Sequence, residues 1–124
     1  MIEDRVAFVR NGLATQSIAG CRCDMDADAV RALLGEPAGS RRQGKKMRVL
    51  SFESGVIVYM QAGKVVAVLR DFNPPLELKQ LDLAPFSPTE KPLELMNGVP
   101  VKQLMVGRVS LEVFGDHVVS IHLA

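Results

Sequence analysis

Hydrophobic residues dominate two similar stretches of the chain, VIVYMQAGKVVAVLR at residues 56–70 and VSLEVFGDHVVSIHL at residues 109–123. Each stretch is rich in β-branched residues and is interrupted once, by Ala-Gly in the first and by Gly-Asp in the second. Two apolar runs separated by a two-residue turn signal are typical of a β-hairpin. We therefore predict two hairpins, one in each half of the chain.

The two stretches align without a gap at an offset of 53 residues, so that Val56 matches Val109 and Val68 matches Ile121. Similarity at a fixed offset is the signature of an internal repeat, although valine-rich strands also resemble one another by chance. The expected organisation is a single α+β domain over residues 1–124. Two structurally related halves, 1–72 and 76–124, are a hypothesis within it.

A helix signal precedes the first hairpin. Asp24, Asp26 and Asp28 supply carboxylates for the N-cap and the first turn, where they interact favourably with free N–H groups and with the helix dipole. Apolar residues follow at helical spacing, and Gly35 is a typical helix stop. We predict a short helix that ends in the sequence LLGEP.

The segment before the second hairpin predicts another short helix. Ser87 and Glu90 form a capping-box pattern, but Pro92 would interrupt a long helix. We therefore place the helix from about Pro92 to Asn97, so that MNGVP ends it in the way that LLGEP ends the first one. On this alignment the first copy has about ten additional residues, which coincide with AGSRRQGKKM.

Two further segments complete the expected fold. Residues 5–18 predict a hairpin around the Asn11-Gly12 turn signal. Residues 70–88 predict a proline-rich connector with an edge strand in LELKQLDL. The predicted fold class is therefore α+β, an antiparallel sheet of hairpins with two short helices on one face.

The second face of this sheet needs an explanation. In the first hairpin Val58 and Met60 point one way, while Ile57 and Tyr59 point the other way, so both faces carry large apolar groups. An antiparallel sheet with one solvated face normally alternates apolar and polar residues. Either a partner covers the second face, as another protein or as a second copy of this chain, or the connector folds across it.

Composition narrows the class of protein. A chain of 124 residues with 48% hydrophobic content fits one domain with a core, and its six aromatic residues leave most packing to aliphatic side chains. No apolar run reaches the length of a membrane span, and acids stand near the start where a signal peptide would carry basic residues. We expect a cytoplasmic protein without membrane association.

Positive charge is concentrated in one segment. Residues 41–48 hold five basic residues and no acid, and the rest of the chain holds 10 basic against 14 acidic residues. Three interpretations stay open: a solvated loop inserted between helix and sheet, a contact surface for an acidic protein partner, or a nucleic-acid site. The absence of aromatic residues from residues 38–48 disfavours nucleic acid.

The sequence offers little catalytic chemistry. The only histidines, His117 and His122, lie in the final predicted strand and are expected at the surface. Cys21 and Cys23 are too close in sequence for the usual disulfide geometry and lack nearby ligands for a tetrahedral metal site. No phosphate-binding, dinucleotide-binding or nucleophile-elbow motif is present. We therefore predict no enzyme activity, no catalytic residue, no metal and no cofactor.

A helix, the sequence Leu-Leu-Gly-Glu-Pro, a variable loop and a valine-rich hairpin follow one another from DADAVRALLGEP to SGVIVYMQAGKVVAVL. This order resembles repeated α/β domains of the β-lactamase-inhibitor-protein and small outer-membrane lipoprotein type. It is also similar to small cytoplasmic immunity proteins that neutralise bacterial toxins. The resemblance implies a protein that works by binding, and it carries over no catalytic residue.

The resulting hypothesis is a non-enzymatic binding protein of the immunity or inhibitor type, which occludes the active site of a toxin or enzyme encoded nearby. The alternative is a homo-oligomeric structural or ligand-binding domain that pairs through a sheet face. Nucleic-acid binding through residues 41–48 is the third hypothesis. The candidate partner contacts, with Tyr59 as an anchor, are Arg41, Arg42, Lys45, Lys46, Arg48 and Tyr59.

Overall fold

The computed structural model describes residues 4–124, and the side chains of residues 94–96 are outside that description. The described chain forms one antiparallel sheet of eight strands and two α-helices, which confirms the predicted α+β class. Two single-turn 3-10 helices, Leu78–Gln80 and Ala84–Phe86, lie between the fourth and fifth strands along the chain. The elements are α1 Arg5–Thr15, α2 Ala27–Leu34, β1 Gly39–Gln43, β2 Met47–Ser51, β3 Val56–Gln61, β4 Lys64–Glu77, β5 Thr89–Met96, β6 Val99–Val106, β7 Val109–Phe114 and β8 His117–Leu123.

The strand order is β1-β2-β3-β4-β8-β7-β6-β5. It consists of two four-stranded meanders, in which each strand pairs with the next along the chain. The last strands of the two meanders, β4 and β8, pair with each other and join them into one sheet. A division after residue 72 would therefore cut β4, which runs from Lys64 to Glu77.

The two predicted hairpins are confirmed as β3–β4 and β7–β8. Each contains one β-bulge, and the extra residue is Val66 in β4 and Val119 in β8. These two valines are 53 residues apart, which is the offset at which the two stretches align. A bulge reverses the facing of the residues beyond it, so the two hairpins redirect their side chains at corresponding positions.

One hydrophobic core lies on one side of the sheet, which we call the helix face. Inner strands contribute fully buried residues such as Val58, Val68 and Ile121, and α1 and α2 contribute Val9 and Val30. Both helices therefore pack on one face of the sheet, which is the predicted arrangement, although α1 is not one of the two predicted helices.

Helix α1 replaces the hairpin predicted for residues 5–18, so that prediction is wrong. The Asp4 carboxylate accepts a hydrogen bond from the Ala7 N–H at 3.0 Å and caps the helix. Val9 and Leu13, four residues apart, lie on its buried side. Gly12, interpreted as a turn residue, is instead a contact residue, since a Cβ there would lie 2.8 Å from the Ser17 carbonyl oxygen.

The second predicted helix, from Pro92 to Asn97, is also wrong, because this segment belongs to β5. Pro92 lacks an N–H and suits an edge strand, where one side of the backbone needs no partner. Asn97 and Gly98 form the β5–β6 turn with positive φ angles of 55° and 79°. MNGVP is therefore a strand turn and not a counterpart of LLGEP.

The connector between the meanders takes the place of that helix on the helix face. LELKQLDL does not form an edge strand, because its first two residues end β4 and the next three form a 3-10 turn. Leu81 is fully buried in the core, and the Arg10 guanidinium donates hydrogen bonds to the carbonyls of Leu81 and Asp82. The connector therefore does not lie across the second face of the sheet.

The basic stretch is not an inserted loop. Residues 39–43 and 47–51 are β1 and β2, which pair in register from Gly39 with Ser51 to Gln43 with Met47. The second meander has its own outer pair, β5 and β6, so the first copy has no additional segment here. The apolar pair in RVLS is too short a run to predict a strand.

Helix α2 is confirmed, with Asp26 as its N-cap and Gly35 as its C-cap. The Asp26 carboxylate accepts a hydrogen bond from the Ala29 N–H at 2.9 Å. Replacing Asp26 by Ala should therefore lower the free energy of unfolding by about 0.5–2 kcal/mol. Asp28→Ala, in the exposed first turn, is the control and should cost only a few tenths of a kcal/mol. Urea denaturation measures both, and equal losses would contradict the capping role.

Candidate functional site

The face of the sheet opposite the helices, here the open face, carries the residues that alternate with the core residues. Cross-strand partners share a face, and the register assigns these positions from the buried residues of each strand. The first meander contributes Val49, Ile57, Tyr59, Ala67 and Leu69. The second contributes Gln103, Met105, Ser110, Glu112, Ser120 and His122.

The described elements outside the strands pack on the other side. Partly buried apolar residues of α1, α2, the segment between them and the connector pack against the core of the helix face. Most open-face side chains are half-buried by their neighbours in the sheet alone. Val49 is an exception at 2% exposure, and it lies outside the core cluster.

The open face has the dimensions of a protein interface. Seven spacings of about 4.8 Å and strands of about six residues give roughly 34 Å by 20 Å, on the order of 700 Å². A protein in a complex of standard size contributes about 800 Å². The area is therefore large enough to accommodate a folded partner.

A continuous row of side chains crosses the middle of this face. Ile57 pairs with Leu69, Leu69 with His122, His122 with Ser110, and Ser110 with Met105. Leu69 and His122 are neighbours across the β4–β8 junction, where the two meanders meet. The row therefore runs from two apolar residues in the first meander to the polar pair His122 and Ser110 in the second, and it ends at Met105.

A polar cluster occupies the second half. The Ser120 hydroxyl and the His122 Nε2 atom are 2.8 Å apart, and the Glu112 carboxylate lies 4.0 Å from the same nitrogen. A shallow cavity of about 380 Å³ lies beside His122 and Glu112 and is also lined by Leu93, Gln103 and Ser110. The partly exposed side chains of His122 and Glu112 present hydrogen-bonding groups to solvent near the centre of the face.

This geometry does not fit a nucleophile with its base. A histidine base uses one ring nitrogen for the nucleophile and the other for an orienting carboxylate, but here Ser120 and Glu112 both face Nε2. Ser120 is also only 3% exposed, which keeps a substrate from its hydroxyl. The arrangement is suited to hydrogen bonding with a ligand or partner.

The five basic residues are exposed but do not form a patch on one face. Arg41 is on the open-face side of β1, in register with Val49 and then Tyr59. Arg42 and Arg48 oppose each other on the helix-face side, and Lys45 and Lys46 form the turn between β1 and β2. The structure therefore brings only Arg41 onto the same face as Tyr59.

The cysteines are free thiols. Cys21 is fully buried, and its burial raises the pKa of the thiol, which disfavours the reactive thiolate. Among the side chains that the structure describes, no three His, Cys, Asp or Glu residues come together as metal ligands. Over the same part of the chain, no helix is both long and apolar enough to span a membrane.

The polar cluster is not predicted from the sequence when His122 is taken as an isolated surface residue. The signal was the alternation in VSLEV and VSIHL, in which Ser110, Glu112, Ser120 and His122 occupy every second position. Such positions in two paired strands point to one face. The correction is that His122 is half-exposed and hydrogen-bonded within a cluster. His117, by contrast, is exposed next to the turn, as predicted.

Comparison with known proteins supports the fold. No family model matches the chain, and no curated protein matches its sequence. A solved structure with a TM-score of 0.59 is a DUF4309 family protein, YjgB, from Bacillus subtilis subsp. subtilis str. 168. It is 11% identical, and the match covers 95% of this chain and 93% of that chain.

A second solved structure is a cysteine-rich secretory protein, SAV1118, from Staphylococcus aureus subsp. aureus Mu50. The match has 12% identity and a TM-score of 0.49, and it covers 80% of this chain and 43% of that one. At these identities the comparisons concern the fold alone. The α+β architecture of this chain is thus similar to that of the DUF4309 family protein over nearly its whole length.

Proposed function

We propose that this protein is a non-enzymatic, cytoplasmic protein-binding domain of the immunity or inhibitor type. Its open face docks on a toxin or enzyme encoded by a neighbouring gene and occludes the active site of that partner. The observation that carries the proposal is the open face itself, an area of interface size with half-buried apolar residues at Ile57, Tyr59 and Leu69.

The composition of the open face supports a protein partner. Interfaces combine aromatic and aliphatic anchors with polar groups that hydrogen-bond across the contact. Tyr59 and Leu69 supply the first kind of group, and His122 and Glu112 supply the second kind. The resemblance of DADAVRALLGEP and the following hairpin to immunity and inhibitor proteins supports the same conclusion.

The basic residues contribute to the same contact by charge. Arg41 lies on the rim of the open face, in register with Val49 and Tyr59. Charged groups on an interface rim mainly raise the association rate and the selectivity for partners of opposite charge. An acidic toxin or enzyme is therefore the favoured partner.

Leu69→Arg tests the docking surface, because it places a charge in the middle of the open face. We expect an affinity for the neighbouring gene product at least about 30-fold lower than that of the wild type, since an interface anchor is worth about 2 kcal/mol. Leu33→Arg is the matched control on α2, where Leu33 is 48% exposed on the other side of the molecule. Calorimetry measures both affinities, and inhibition of the partner's activity gives a second readout.

Equal binding by the two variants, or no association of the wild type with any neighbouring gene product, would contradict this function. Sedimentation of the same proteins distinguishes the homo-oligomer. A dimer that forms at micromolar concentration and is lost in Leu69→Arg would assign the open face to a second copy of this chain instead.

A further inference from the structure

The basic residues of β1, β2 and their turn have no counter-charge among the residues that the structure describes. None of them forms an ion pair with a described carboxylate. The register also places Arg42 directly opposite Arg48, and like charges at opposed positions destabilise a sheet. The five residues are Arg41, Arg42, Lys45, Lys46 and Arg48. This edge of the sheet would therefore be stabilised by negative charge from outside the described chain.

The same segment is a free edge of the sheet. β1 pairs with β2 only, and all five of its residues, GSRRQ, are exposed. An edge strand presents a row of N–H and C=O groups with no partner in the sheet. β1 contains no proline, so every residue whose backbone faces outward can both donate and accept. The backbone is available for pairing with one more strand.

The opposite edge of the sheet, β5, is also exposed, but its charge and its backbone differ from those of β1. β5 contains Pro92, which lacks an N–H, and its register shifts between Pro92 and Leu95. Its charge is balanced, since Glu90 lies 3.5 Å from the Lys102 ammonium. A proline and an irregular register are features that protect an edge from further pairing. Of the two edges, β1 is the one that can accept a strand.

We infer that the outer edge of β1 binds an extended acidic segment of a partner protein as a ninth strand beside the eight of the sheet. The segment places two consecutive acidic residues opposite Arg41 and Arg42. This inference rests on the proposed function, because it specifies how the same partner engages the basic residues.

The requirement for consecutive acids follows from the pleat. Arg41 points to the open face and Arg42 to the helix face, and successive residues of an added strand also point to opposite faces. An acid opposite Arg41 extends the row through Val49 and Tyr59. The next acid, opposite Arg42, offsets the repulsion between Arg42 and Arg48.

A second copy of this chain is a poor occupant of the edge. Antiparallel pairing of two β1 strands about Arg41 would set the two Arg41 side chains against each other and concentrate ten basic residues at one junction. Directly opposed like charges are unfavourable, and basic side chains on an edge strand prevent self-association. Charge therefore selects an acidic partner and rejects the homodimer at this edge.

The test uses a fluorescein-labelled peptide of eight residues, composed of Thr and Val around a central Asp-Glu pair, titrated with the full-length protein. Fluorescence anisotropy should show saturable binding, and a peptide with Lys-Lys in place of Asp-Glu should not bind. Single N-methyl groups are then placed along the peptide backbone. Because only alternate residues donate to an adjacent strand, methylation should weaken binding at every second position and have little effect in between.

Charge reversal in the protein provides the second arm. Arg41→Glu and Arg42→Glu should each weaken binding of the acidic peptide about fivefold or more, since each replaces an attractive cross-strand pair by a repulsive one. Lys91→Glu is the matched control, because Lys91 is exposed on β5 at the other edge. The affinity of Lys91→Glu for the acidic peptide should stay within about twofold of that of the wild type. Circular dichroism checks that each variant is folded.

Three outcomes would overturn strand addition: no binding of the acidic peptide at millimolar concentration, equal binding of the Lys-Lys peptide, or N-methylation effects without a period of two. Tighter binding of a single-stranded oligonucleotide, with a steep salt dependence, would also overturn it and assign the basic residues to nucleic acid. The proposed function is judged separately by Leu69→Arg. If the partner binds Leu69→Arg more weakly than the wild type but the acidic peptide does not bind, strand addition at β1 is wrong. The open face is then still the binding site for the partner.

Discussion

Replacing Leu111 by Ala is expected to lower the free energy of unfolding by about 2–5 kcal/mol, whereas Leu69→Ala should cost only about 1 kcal/mol. Both residues are leucines in inner strands of the sheet, β7 and β4. Leu111 is 1% exposed within the core of the helix face. Leu69 is half-exposed on the open face, between Ile57 and His122.

The difference arises because only the first truncation creates a cavity. Around Leu111 the core packs on all sides, and the space left by the removed methyl groups is not refilled. Water reaches Leu69 already, so its truncation removes contacts with two cross-strand neighbours and little else. Chemical denaturation of the two variants measures both values. Similar losses would mean that an element of this chain covers the open face.

Gly107→Ala is the second change with a large expected effect, about 2–4 kcal/mol of unfolding free energy. Gly107 lies in the β6–β7 turn at φ 59°, and a Cβ there would collide with the Gln16 Oε1 atom. Gln16 cannot move away at low cost. Its side-chain amide donates to the carbonyls of Leu13 and Val106 at 3.0 and 2.9 Å, and its oxygen accepts from the Arg108 N–H at 2.7 Å.

Gly98→Ala is the matched control, since Gly98 has φ 79° in the β5–β6 turn and open space around its Cα. Gly98→Ala should lower the free energy of unfolding by only about 1 kcal/mol, because the alanine is strained in the left-handed backbone conformation but meets no neighbouring atom. In a Gln16→Ala background the collision at position 107 disappears, and the penalty of Gly107→Ala should fall to that of Gly98→Ala. A double-mutant cycle by thermal or urea unfolding measures this coupling. Additive losses would show that Gln16 does not join α1 to this turn.

The local features of the fold were the ones that the sequence predicted. The turn signals at residues 62–63 and 115–116 and the surrounding valines were enough for both long hairpins. Asp26 and Gly35 were enough to predict where α2 begins and ends. In each case the residues that determine the element lie within about ten positions of one another, and their preferences agree with the final structure.

The errors have a common cause, which is tertiary contact that overrides a local signal. Asn11-Gly12 favours a turn, yet Gly12 is needed where α1 approaches the Ser17 carbonyl and the Ile121 side chain. Ser87 and Glu90 favour a helix, yet pairing with β6 makes this segment an edge strand that tolerates Pro92.

The candidate site was predictable only in part. The apolar second face of the first hairpin was visible from Ile57 and Tyr59. Its continuation from Leu69 to His122 was not, because that neighbour relation depends on the pairing of β4 with β8. The basic residues were identified as a group, but their division between the two faces required the register of β1 with β2. Residues far apart in sequence become neighbours only through the topology.

The junction of β4 with β8 also has a consequence for folding kinetics. The other strand pairs of the sheet join consecutive strands, so they close short loops. The β4–β8 pair joins residues 40 to 55 positions apart, from Glu77 with His117 to Val68 with Leu123, so it closes a loop of about forty residues or more and is entropically slow to form. Until it closes, both strands are unprotected edges with complementary registers. At high concentration β4 of one molecule can then pair with β8 of another. Domain swapping would therefore begin at this junction.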